Sequence, residues 1–262
     1  MKETQLIENY SIEGIAQSIV KDHPVSQNYT DDDKKMMYRE CQEKLKALSD
    51  LKALLSLDHI HSYGNTFTSY MERLVIIPPE IVVVDSRIQD MCALPYWSYY
   101  GTEGEGTFGS CGGIGAFSCC PPFSLKADKV QAKLDNADLF LVMQTQSRNF
   151  GAGEPGDQGK TINKLAQEIT ELLGKASVVQ KFGGGPCLVC SPEPCECEGK
   201  CRAPENKIPA LESLGVCVDQ VCKDCALLTG DNTWPITWIK GYGGPNQSPM
   251  QCKTTVALAI KL

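Results

Sequence analysis

The segment ADLFLVMQT, residues 137–145, decides the fold. Its unbroken apolar centre, bounded by polar residues, reads as a strand. A polar stretch with helical spacing precedes it at 126–134, and another follows at 161–173. Short β-branched or apolar runs alternating with such stretches mark an α/β arrangement. Further strands are expected at 81–85, 178–182, 236–240 and 255–260, which gives a central mixed sheet of about five strands.

Upstream, the pattern is helical. Asp31, Asp32 and Asp33 can cap a helix, and Met36, Met37, Leu45, Leu48, Leu51, Leu54 and Leu55 recur close to helical spacing, so one long helix is expected over 33–57. Residues 1–70 therefore read as a helical N-terminal extension, and 71–262 as the α/β domain that carries the chemistry. Cys41 reads as a small packing residue on that helix.

Composition narrows the function. The 262 residues carry 25 Lys and Arg against 32 Asp and Glu, a net charge of −7 that would repel a polyphosphate backbone. Nucleic acid is not an expected partner. No apolar run approaches the roughly 20 residues of a membrane helix, and the first residues lack a secretory h-region, so a cytoplasmic protein with no membrane partner is expected. The 14 cysteines need their own account. In a reducing compartment clustered thiols point to metal ligation rather than to disulfides.

The densest cluster is GGGPCLVCSPEPCECEGKCRAPE, 183–205. Cys187 and Cys190 form a C-x2-C pair, Cys195 follows, and Cys197 and Cys201 form a C-x3-C pair. A bacterial iron-sulfur run begins and ends with these two spacings, but the middle spacing here is longer and Arg202 stands where a proline is usual. Four thiolates could equally hold zinc. With no histidine in the segment, iron-sulfur is the preferred reading.

A second group comprises Cys92, Cys111, Cys119 and Cys120, the last three within SCGGIGAFSCCPPF, 110–123. Its glycines let backbone approach a bulky inorganic cluster. Adjacent residues of an extended chain point opposite ways, so Cys120 is the better ligand and Cys119 the lesser. A third group, Cys217, Cys222 and Cys225 with distant Cys252, has plant-type ferredoxin spacing. Its setting, ALESLGVCVDQVCKDCALL, is helical, which favours core packing while leaving Cys222 and Cys225 as candidate ligands. The loop GAGEPGDQGKT, 151–161, lacks the spacing of a phosphate-binding P-loop and reads as a flexible loop ending in a helix start. His23, His59 and His61 lie outside every cysteine group.

CGGIGAFSCCPPF, ADLFLVMQT, GGPCLVC, CRAPE and ALESLGV, in that order, resemble a family of small prokaryotic predicted metal-binding proteins of unknown function. The resemblance covers roughly 75–262. It implies ligands at Cys92, Cys111 and Cys120 in one group and at Cys187, Cys190, Cys197 and Cys201 in the other. Cys119, Cys195, the third group, the Gly-rich insertion after Cys92 and the helical N-terminus depart from the family. The expected cofactors are two 4Fe-4S clusters, with zinc as the alternative. The expected role is an iron-sulfur electron carrier or accessory subunit docking on a redox enzyme or protein complex. The alternatives are a redox enzyme with an iron not ligated by cysteine and a zinc-stapled interaction protein.

Overall fold

In the computed structural model the described residues are 12–94, 96–98, 107–146, 148–149, 155–174, 177–185, 187–190, 195, 200–235 and 251–262. Among these residues eight strands run in chain order: β1 (Met71–Ile77), β2 (Tyr96–Ser98), β3 (Thr107–Gly109), β4 (Leu139–Thr145), β5 (Arg148–Asn149), β6 (Val178–Phe182), β7 (Gln251–Cys252) and β8 (Thr255–Ile260). Four of them, in the order β1-β4-β8-β6, make one sheet, and β2-β3 and β5-β7 are separate two-stranded ribbons. Every pairing in the sheet is antiparallel, with Val142 opposite both Val75 and Ala257. The expected mixed sheet of about five strands is therefore an antiparallel sheet of four.

Two readings account for the difference. The run at 81–85 is buried but forms no strand, because it leaves a 3-10 turn at Pro79–Ile81 and makes a single bridge, Val84 to Val216. Its neighbour Met71–Ile77 takes the edge position instead. The run at 236–240 lies outside the described residues.

Residues of β4 alternate between two apolar layers. Leu139, Leu141 and Met143 join Ile162, Leu165 and Ile169 of the helix Pro155–Leu173 together with Leu51, Ile60 and Phe67 from the N-terminal helices. Phe140 and Val142 join Val130 and Leu134 of the helix Ala127–Leu134 and Val221, Cys222 and Cys225 of the helix Val218–Thr229. Helices thus cover both faces, and the period of two that strands impose sorts one apolar run into two cores. Phe140 also meets Phe182 edge to face, with ring centroids 5.4 Å apart.

The helix Asp31–Ala47 is capped by Thr30, with Asp33 as its reciprocal partner. The Thr30 side chain accepts from the Asp33 backbone N–H, and Asp33 in return accepts from the Thr30 N–H, a reciprocal capping box. The expected helix over 33–57 is two, Asp31–Ala47 and Ser49–Leu54, separated at Leu48, whose backbone leaves the helical region. Cys41 is buried in the core as expected.

Gly215 ties the 81–85 segment to this frame. Its φ is +83°, its carbonyl accepts from the Asp85 N–H at 2.8 Å, and a Cβ there would stand 2.9 Å from the Asp85 carbonyl oxygen. Gly215→Ala is expected to cost about 2 kcal/mol or more, from the left-handed backbone plus a clash with main chain, read as a lower denaturant midpoint.

Candidate metal centre

The first cysteine group is held by a series of tight turns. Cys92 sits in the 3-10 turn Met91–Ala93, and its carbonyl accepts from the Cys111 N–H at 3.3 Å. The chain then doubles back: Ile114 N–H donates to Cys111 O, Phe117 N–H to Gly113 O and Cys120 N–H to Phe117 O. This brings the Cys111 and Cys120 sulfurs together beside Gly113. A Cβ added at Gly113 would lie 2.9 Å from Cys120 Sγ and 3.7 Å from Cys111 Sγ. Gly113→Ala is therefore expected to displace the Cys120 thiol and weaken metal retention about tenfold against a competing chelator, with little change in folding midpoint.

The second group sits on the loop that leaves β6. Gly183 pairs with the segment before the 3-10 turn Glu212–Leu214, donating to Pro209 O at 2.7 Å and accepting from Leu211 N–H at 3.0 Å. That pairing lays residues 207–209 beside Cys187, whose sulfur accepts from the Ile208 N–H at 3.5 Å. Gly156 and Gly159 lie in the first turns of the helix Pro155–Leu173 rather than in a loop. A Cβ at Gly159 would come within 2.9 Å of Val189 Cγ2, so the glycine lets the helix pack under the C-x2-C turn.

The two groups meet through the residue that sequence reasoning ranked lower. Cys119 Sγ accepts from the Cys187 N–H at 3.4 Å and lies 3.9 Å from Cys120 Sγ. Next to it, Ser118 Oγ is 3.5 Å from Cys195 Sγ, and Lys207 Nζ donates to Ser118 O. The vicinal pair thus carries one sulfur toward Cys111 and the other toward Cys187, because the turn at 117–120 is not the extended chain that would oppose them. Cys190 feels Cys201, Cys187 and Cys195, with Arg202 close by. Cys197 lies outside the described residues.

Electrostatics at the site favour neutral thiols unless a cation is present. Burial, with Glu212 and Cys111 adding to it, pushes Cys92 up to about 12. The Cys120 thiol beside it pushes Cys119 up to about 12, with Cys187 opposing and burial adding. The contact with Cys119 and then burial raise Cys187 too. A metal ion would have to displace these protons, so uptake should release protons and strengthen as pH rises.

The third group is elsewhere. Cys222 and Cys225 are fully buried in the apolar layer under Phe140, with Cys222 Sγ accepting from Gln144 Nε2 at 3.5 Å and lying 3.7 Å from Thr255 Oγ1. Cys217 packs with Ile19, Val83 and Ile88. The histidines are engaged in the N-terminal half: His23 with Val84 O, His59 with Glu168 and His61 with Met71 O. The donors at the junction are accordingly sulfur, the soft set that suits zinc or iron-sulfur. Among the described residues no three His, Cys, Asp or Glu side chains already stand at positions that hold one metal ion. No helix among them is long and apolar enough to cross a membrane.

No curated protein and no solved structure matches the chain. A family model described as "Predicted metal-binding protein (DUF2284)" matches residues 75–233. It starts where the resemblance was drawn and ends short of 262. It takes in both cysteine groups and leaves out the N-terminal helices. By this match, which covers more than half of its length, the chain belongs to the DUF2284 family of predicted metal-binding proteins.

Proposed function

We propose that the chain is an iron-sulfur protein that carries electrons to, or serves as an accessory subunit of, a partner redox enzyme. The observation that carries this reading is the meeting of the two cysteine groups at Cys119, whose sulfur lies 3.9 Å from Cys120 Sγ and accepts from the Cys187 N–H, with Cys195 against the neighbouring Ser118. Cys92, Cys111 and Cys120 would hold one cluster. Cys187, Cys190 and Cys201, with Cys195 or Cys197, would hold the other. When bound, such clusters supply reversible one-electron exchange. The chain's own part is to aim the Ile208 N–H at the Cys187 sulfur, a hydrogen bond of the kind that tunes a cluster's potential, while the Cys187 N–H donates to Cys119 and ties the two groups together. Surface acidity, with a net charge of −7, suits docking on a basic face of the partner.

One observation favours a second reading. The 3.9 Å between the Cys119 and Cys120 sulfurs is close to the edge of a zinc-thiolate tetrahedron, about 3.8 Å for bonds of about 2.3 Å. A zinc-stapled interaction protein would use that geometry.

The carrier reading is tested on protein purified without oxygen and reduced chemically. Electron transfer that requires a purified partner protein supports it. A spectral change on adding small molecules to the reduced protein, with turnover and no partner, would show an enzyme with an open iron instead.

A further inference from the structure

On the far side of the segment that holds Cys187 lies a cavity of about 260 Å³, and its wall includes Lys133, Lys181 and Lys207 together with Leu125, Val179 and Pro209. Among the described residues no carboxylate lines it. In a chain of net charge −7, three lysines converging on one hollow are a local reversal of sign.

All three are half-buried, and their ammonium groups are anchored by uncharged acceptors. Lys133 Nζ donates to Val179 O at 2.8 Å and Lys181 Nζ to Asn163 Oδ1 at 2.6 Å and Glu205 O. Lys207 Nζ donates to Ser118 O. Four of the nine ammonium N–H donors are thereby used, and none of the three lysines makes an ion pair among the described residues. Burial lowers the Lys181 ammonium from its ordinary value, with Cys187 and then Glu205 opposing, and Glu205 makes no ion pair with it. Ammonium groups partly withdrawn from water and bonded to dipoles rather than to carboxylates leave room for a negative ligand to supply charge.

We propose that this cavity binds a small oxyanion, a phosphate or carboxylate compound, held by Lys133, Lys181 and Lys207. Its volume of about 260 Å³ admits a compact anion. Pro204, Lys207 and Pro209 line it, and Ile208 between them donates its N–H to the Cys187 sulfur, so the bound anion would sit beside the segment that contacts the thiol junction. The proposal does not depend on which metal, if any, the thiols hold.

The test uses the full-length protein and three probes: inorganic phosphate, glycerol phosphate and succinate, each titrated by calorimetry and by thermal shift, with sodium chloride at matched ionic strength as reference. Saturable binding of at least one probe is expected, and the tightest identifies phosphate or carboxylate as the class. Lys133→Gln and Lys207→Gln should each weaken that binding at least tenfold. Lys129→Gln removes the same charge from an exposed position on the same helix as Lys133 and should leave it unchanged. Lys181→Gln removes two structural hydrogen bonds, so Lys133→Gln carries the test if that variant fails to fold. No saturable binding beyond the chloride response, or equal losses in Lys129→Gln and Lys133→Gln, would overturn the proposal.

Discussion

Lys34→Met is expected to destabilise the protein by about 3–5 kcal/mol, the usual cost of leaving one member of a buried ion pair alone. Lys34 Nζ lies 2.7 Å from Asp224 Oδ1, with side chains only 10% and 3% exposed. The pair joins the helix Asp31–Ala47 to the helix Val218–Thr229, far apart in sequence. Burial raises the Asp224 carboxyl above its ordinary value even though Lys34 and the Gln220 amide oppose it. An acid whose folded value is raised favours the protonated native state, so its contribution to stability falls as pH rises from the ordinary value, 3.8, through the native one. Without Lys34 that fall should be steeper and extend to higher pH. The gap between variant and wild type should therefore be small in acid and grow toward neutrality, measured as denaturation midpoints across pH. Lys34→Met/Asp224→Leu, which removes both charges, should recover most of the loss. A constant gap at every pH would mean that the lysine acts through packing alone.

The second large effect concerns metal. Cys187→Ser and Cys120→Ser are each expected to cut the metal retained after chelator challenge by at least about tenfold, since each removes a sulfur from the junction around Cys119. Cys119→Ser should behave the same way if the vicinal pair links the two groups. Cys225→Ala should do the opposite: its thiol is wholly buried among apolar side chains, so the loss should be one of stability, about 1–2 kcal/mol, with metal content preserved. Cys41→Ala, in the N-terminal helix outside the family match, should likewise keep its metal. Metal analysis of the folded variants separates these outcomes.

Much of this was legible because local pattern and tertiary role agree. The run at 137–145 is a strand in sequence and in space, and the helices at 127–134 and 218–229 fall where helical spacing put them. The run at 81–85 misleads because burial, not sheet pairing, selects its β-branched residues. The sheet's direction was hidden for a related reason. Apolar residues fill both faces of β4, a pattern more often met in parallel sheets, but here N-terminal helices cover the second face of an antiparallel one. At the site, the two cysteine groups stood out by spacing alone. Their meeting at Cys119 did not, because it depends on a turn at 117–120 and on the Gly183 pairing that carries Cys187 beside it. The doubled cysteine in SCCPP was the available signal. The loop expected at 151–161 gives way to helix from Pro155, because the packing of Val189 against the first turns requires a glycine at 159, a tertiary contact that spacing does not show.

The most direct test of the central claim is quantification of iron, acid-labile sulfide and zinc in protein purified without oxygen, together with electron paramagnetic resonance of the reduced sample. Iron and sulfide in comparable amounts, with a cluster signal on reduction, are the expected result. Zinc alone, with neither iron nor sulfide, would contradict it.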